Sequence, residues 1–115
     1  MIWQGIDKRR FPRVSYPCKV VLLRNDLRRT FSTHTENVGI GGICVVLSEE
    51  LPKFCPVDIL LYLKNGKSPL ESNGRIVWVV KREANFDTGI EFADIKTGDC
   101  LRIKKIVKLC QDGQT

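Results

Sequence analysis

Arg9 and Arg13 stand four residues apart in the stretch Lys8-Arg9-Arg10-Phe11-Pro12-Arg13, which gathers four cations and one aromatic ring into six residues. Like charges crowded this way repel one another, so folding supplies no reason for them. The stretch is either a solvated basic tail or a clamp for something anionic. Arginine suits a clamp. Its guanidinium pairs bidentately with phosphate oxygens or with the O6 and N7 edge of guanine, and its flat face stacks on a base. Two arginines at i and i+4 on a non-helical arm close over a ligand from one side. Pro12 limits the arm's freedom and so lowers the entropy lost on closure. Lys8 and Arg10 add positive potential around the pair.

A second constellation is Glu36-Asn37-Val38-Gly39-Ile40-Gly41-Gly42, with three glycines in its last four positions, ahead of an apolar run. Glycines let backbone approach a ligand closely, and successive amides around Gly39, Gly41 and Gly42 can form an anion-binding nest. The same pattern also serves as a tight turn or bulge between strands. It is not the dinucleotide fingerprint, because no helix follows.

No catalytic set accompanies these groups. The single histidine, His34, reads as a surface or strand-pairing residue, and no nucleophile has a base at a recognisable spacing. Cys18, Cys44, Cys55, Cys100 and Cys110 are odd in number and include no C-x-x-C pair. That excludes a clustered zinc site and a disulfide scaffold, and predicts reduced, mostly buried thiols. Nineteen Lys and Arg against thirteen Asp and Glu give a formal charge of +6. The excess points to an anionic partner: a nucleotide, a nucleic acid or an acidic protein surface. The 115 residues fit one domain, 43% of them hydrophobic, and none of the apolar runs approaches the roughly 18 to 20 residues of a membrane span. The opening "MIWQGIDKRR" lacks a signal-peptide pattern, so a cytoplasmic protein is expected.

The elements that must position these residues read as strands. Runs at 15–24, 29–38, 41–47, 57–63, 74–81 and 87–92 carry strand periodicity, separated by turn-rich segments such as "RNDLRR" and "KNGKSPLESNG". The fourth run places Val57, Ile59, Leu61 and Leu63 on one face, and the fifth places Ile76, Trp78 and Val80 together. Pro17 falls early in the first run, where a missing amide donor is tolerable. Residues 94–110 instead repeat apolar side chains at intervals of three and four: Cys100, Ile103, Val107 and Cys110, widened by Leu101 and Ile106. This predicts one amphipathic helix with Asp94 at its N-cap, its apolar side on the strands and its late lysines at the negative end of the helix dipole. Six short strands with short connections argue for an antiparallel barrel or sandwich.

Taken together, "RRFPR", then "NVGIGG" about two dozen residues later, resembles the PilZ family of bacterial cyclic di-GMP receptors. That family carries R-x-x-x-R in an N-terminal loop and D/N-x-S-x-x-G at a strand junction. Arg9 and Arg13 match the first motif, and Asn37 and Gly42 the ends of the second. "GRIVWV" (74–79) and "TGIEF" (88–92) look like the family's last strands. The resemblance implies an all-β fold with one C-terminal helix: a six-stranded antiparallel barrel of the split-barrel type, capped by an amphipathic helix. It divides the chain into a basic arm (1–14), a barrel with its helix (15–110) and a tail (111–115). It implies a non-enzymatic receptor, without cofactor or metal, that binds cyclic di-GMP and signals to an effector protein in motility, biofilm or virulence. Arg9, Arg13, Asn37, Gly39 and Gly42 are then the ligand residues, with Lys8, Arg10 and Gly41 secondary. Lys8 would help neutralise a second, stacked ligand. Gly39 stands where the motif has serine, so one hydroxyl is absent. Two other readings remain at this level: a PilZ-like adaptor that binds protein only, and a basic barrel that binds nucleic acid.

Overall fold

The computed structural model describes residues 13–64 and 68–112. Seven strands and one helix occur among them: β1 (Arg13–Ser15), β2 (Lys19–Arg24), β3 (Arg29–Gly39), β4 (Gly42–Leu47), β5 (Pro56–Tyr62), β6 (Leu70–Lys81), β7 (Phe86–Phe92) and α1 (Thr97–Asp112). The sheet order is β1-β3-β2-β5-β6-β7-β4, and β4 also pairs with β3. That last pairing closes β2 to β7 into a six-stranded antiparallel barrel, the expected fold class, and leaves β1 outside it. Closure removes the free edges that an open sheet would expose.

β3 carries most of the architecture. One half pairs with β2, from Arg24↔Arg29 to Lys19↔His34, and the other half pairs with β1. The first expected strand therefore splits in two. Pro17 has no amide hydrogen to give, and the buried Thr35 hydroxyl bridges the gap instead. It donates to the Tyr16 carbonyl (2.6 Å) and accepts from the Cys18 amide (3.0 Å). One residue on, the register with β4 slips between Thr35 and Asn37. Such a bulge bends the strand and raises its twist, which lets β3 turn from one partner to the next.

Alternation fills the barrel. Val57, Ile59, Leu61 and Leu63 all lie at 5% exposure or below, as their spacing predicts. They join Val20, Leu22, Val38, Ile43, Val45, Ile76 and Ile90 in one cluster, each fully buried Val, Ile or Leu stabilising the fold by roughly 1.5–3 kcal/mol. The expected grouping of Ile76 with Trp78 and Val80 does not hold. A second bulge, between Ile76 and Trp78, reverses the parity of β6. Val79 then packs on the core, and Val80 is 43% exposed. β6 also begins at Leu70 rather than Gly74, because Leu70 and Ser72 alternate inward ahead of the glycine.

α1 packs against β1 and β3, burying Ile103, Ile106 and Val107. It departs from the sequence pattern at three points. The Cys100 amide bonds to the Lys96 carbonyl at 2.9 Å, so the first turn opens at Lys96 and not at Asp94. The last turn holds no cation. Leu101, expected on the buried stripe, is 57% exposed. No helix is long and apolar enough to cross a membrane among the described residues.

Candidate functional site

Backbone pairing joins the two sequence motifs. In the β1–β3 ladder Arg13 stands opposite Gly39, Val14 opposite Val38 and Ser15 opposite Asn37. Val14 and Val38 are buried in the core, so by strand alternation Arg13, Ser15, Asn37 and Gly39 belong to the outer face of the barrel. Arg13, expected in the arm, is thus held in a strand with its side chain exposed. Gly41 lies in the bend between β3 and β4, its carbonyl accepting from the Phe92 amide at 2.9 Å, and Gly42 opens β4. The fold therefore brings Arg13, Asn37, Gly39, Gly41 and Gly42 together. Lys8, Arg9 and Arg10 lie outside the described residues.

The outer face continues across the barrel. Asn37 pairs with Cys44, Cys44 with Gly89, and Gly89 with Trp78. A Cβ at Gly89 would collide with the Trp78 indole, so the ring lies directly over that glycine. In the next row, Gly42 pairs with Glu91 and Glu91 with Arg75. Here a Cβ would run into the Ile90 carbonyl oxygen. Gly42 is thus required by the close approach of β7, a packing need distinct from backbone freedom. Backbone pairing thus places Arg13, Asn37 and Gly39 on one outer face with Trp78 and Arg75 across the barrel.

The polar groups of this face are not all satisfied. Asn37 Oδ1 is enclosed and has no hydrogen-bond partner among the described residues. Such an acceptor costs roughly 1–3 kcal/mol until a donor reaches it. Arg75 pairs with Glu91 at 3.2 Å, with both side chains about half exposed. An exposed pair of this kind contributes only about 0–1 kcal/mol, so Arg75 can exchange its carboxylate for a phosphate at little cost.

Cys44 lies beneath this surface at 3% exposure, its thiol donating to Glu36 Oε1 at 3.4 Å. Burial pushes the thiol up from an ordinary value of 9.0 to about 12, helped by the Glu36 hydrogen bond and the charges of Glu36 and Asp87, while Arg13 pulls the other way. The Arg13 charge thus reaches across the face to Cys44. The folded chain keeps this proton where the unfolded chain loses it, so Cys44 contributes stability that is full below about 9 and is lost as pH rises toward about 12. Urea unfolding across that window should show a shallower alkaline loss for Cys44→Ala than for the parent chain.

Cys18 and Cys55 are also buried, and all five thiols are free. His34 is exposed, opposite Lys19 on β2. Among the described residues no three His, Cys, Asp or Glu side chains are grouped to hold a metal ion. Sequence reasoning missed Arg75, Trp78 and Glu36 as members of this face. The β6 bulge turns Trp78 outward, only the cross-strand register brings Arg75 beside the motifs, and Glu36, next to Asn37 in sequence, shows its part only through its bond to Cys44.

The family description "PilZ domain" matches residues 7–110. No curated protein matches the chain in sequence. Among solved structures, the chain is similar to the inhibitor of motility MotI/DgrA of Bacillus subtilis (TM-score 0.77, 17% identity, 92% of this chain and 51% of that one). It is similar to the PilZ domain of Escherichia coli YcgR with c-di-GMP (TM-score 0.75, 12% identity, 93% and 94%). It is also similar to the K. pneumonia MrkH–c-di-GMP complex (TM-score 0.77, 16% identity, 92% and 54%). The chain thus spans about half the length of the MotI/DgrA and MrkH chains. At these identities the likeness is one of fold.

Proposed function

The chain belongs to the PilZ domain family, and on that footing we propose that it is a cytoplasmic receptor for cyclic di-GMP whose liganded surface is read by an effector protein. The observation that carries the reading is the register of Arg13 against Gly39, with the unpaired Asn37 acceptor two residues away on the same face. The ligand brings two phosphodiester charges and two guanines. Arg13, joined by Arg9 from the arm, takes phosphate oxygens or a guanine O6 and N7 edge. Asn37 Oδ1 accepts from a guanine N–H, which removes the cost of leaving it unpaired. Trp78, lying over Gly89 on the outer face, offers a ring edge or face to the flat bases. Lys8, Arg10 and Arg75 raise the local potential, and the extra cation at Lys8 suits a second stacked ligand. Nothing in this scheme breaks a covalent bond; the protein senses and does not catalyse. The likeness to YcgR and MrkH structures that hold c-di-GMP supports the reading at the level of the fold.

One observation favours a second reading. Gly39 stands where the family motif has serine, as in an adaptor that has given up the ligand and binds protein alone. Calorimetric titration of the parent chain and of Gly39→Ser with cyclic di-GMP separates the two. The restored hydroxyl is expected to add one hydrogen bond of roughly 0.5–1.5 kcal/mol, or about twofold to tenfold in affinity. Urea unfolding of both chains, run alongside, guards against a change in stability. No heat from either chain, with both folded, would assign the protein to the adaptor class.

A further inference from the structure

The outward side of α1 is a surface the ligand reading does not use. Leu101 and Leu109 are 57% and 61% exposed, although large apolar side chains on a helix that packs against strands normally face the core. Lys104, Lys105 and Lys108 are exposed on the same helix. At 3.6 residues per turn, Leu101, Lys105 and Leu109 fall in one line, with Lys104 and Lys108 beside it. None of the three lysines forms an ion pair among the described residues. Arg102 by contrast is engaged, with Asp99 and the Ser68 carbonyl. Among the described residues the outward face therefore carries three lysines in no ion pair around two apolar contacts, with Asp112 at its C-terminal end.

From this arrangement we infer that the outer face of α1 is a docking site for a partner protein that presents carboxylates around an apolar patch. Burying the two leucines supplies the apolar gain, and the lysines select for acidic partners and speed encounter. A lipid surface fits less well. An interfacial helix segregates its apolar residues from its cations, whereas here Lys105 sits between the two leucines. A second copy of the chain fits less well still, because it would set three lysines against three.

The inference can be tested without knowing the partner and without cyclic di-GMP. The probe is a synthetic helix with leucine and glutamate on one face, titrated into the ¹⁵N-labelled chain of 115 residues and followed by amide shifts. The expected result is saturable shifts along α1 that weaken at least tenfold in K104E/K105E/K108E and in L101A/L109A. All five positions are exposed, so the amide dispersion of both variants reports an intact fold. A matching helix with lysine in place of glutamate should not bind. No shift with the acidic helix, or equal affinity in the charge-reversed chain, would overturn the inference. So would tighter association with phosphatidylglycerol vesicles, which would make the face a lipid contact. Concentration-dependent broadening of the chain alone would likewise replace it, with self-association.

Discussion

Arg13→Ala is expected to lower the affinity for cyclic di-GMP by about tenfold to a hundredfold and to leave thermal unfolding almost unchanged. A charge-assisted hydrogen bond contributes roughly 1.5–3 kcal/mol, and each 1.4 kcal/mol is a factor of about ten. The fold tolerates the change because β1 pairs with Gly39 through backbone and Arg13 is exposed, so truncation opens no cavity. Arg9→Ala should behave alike. Calorimetry measures the affinities, and differential scanning fluorimetry checks the fold. Undiminished affinity in both variants would remove the arginine clamp. A ligand-free signature accompanies the first variant. Arg13 pulls the Cys44 thiol downward, so its removal should drive that thiol still higher.

Gly42→Ala should produce the largest loss of stability. The added methyl meets the backbone carbonyl of Ile90, at a point where β4 and β7 are already paired, and neither main chain can step aside alone. Overpacking costs typically 1–3 kcal/mol when side chains can adjust. Against backbone the upper end applies, about 3 kcal/mol, a large share of a small domain's total stability. Gly98→Ala is the matched control. A methyl there meets nothing within 4 Å, and alanine is a better helix former than glycine by up to about 1 kcal/mol. Urea unfolding should therefore move in opposite directions for the two variants. A Gly42→Ala chain as stable as its parent would show that β4 and β7 separate easily at this point.

The barrel was legible because its strands obey a period of two wherever they run without interruption. β5 shows this from Val57 to Leu61, and Leu63 just beyond it keeps the period. What defeated the reading was local and physical. Two bulges, at Thr35/Asn37 and Ile76/Trp78, insert a residue that pattern counting takes for ordinary alternation. The second sends Trp78 out over Gly89. Pro17 reads as tolerable within one strand, whereas it separates two, because the Thr35 hydroxyl that bridges the gap lies distant in sequence. Leu101 counts toward the apolar stripe by spacing, yet α1 rests on β1 and β3 through Ile103, Ile106 and Val107, with Cys110 beside them. The candidate site divides the same way. Its motif residues announce themselves by type and spacing, and their neighbours across the barrel do not. Residue type alone cannot reveal that Gly42, Glu91 and Arg75 form one row.

The three-residue strand β1 has two neighbours of different kinds. It carries Arg13 on the outer face, and α1 packs against it. So short a ladder opens locally at a small fraction of the global unfolding free energy. On the proposed reading, a ligand held by Arg13 on β1 and a partner held by α1 act on elements that touch, so each can bear on the other. Thermodynamics makes that traffic symmetric: if the messenger raises a partner's affinity by some factor, the partner raises the messenger's by the same factor. Each tenfold of such coupling requires about 1.4 kcal/mol, within reach of the hydrogen bonds in question. If nucleotide and partner bind as proposed, the chain is expected to answer most strongly when both are present together.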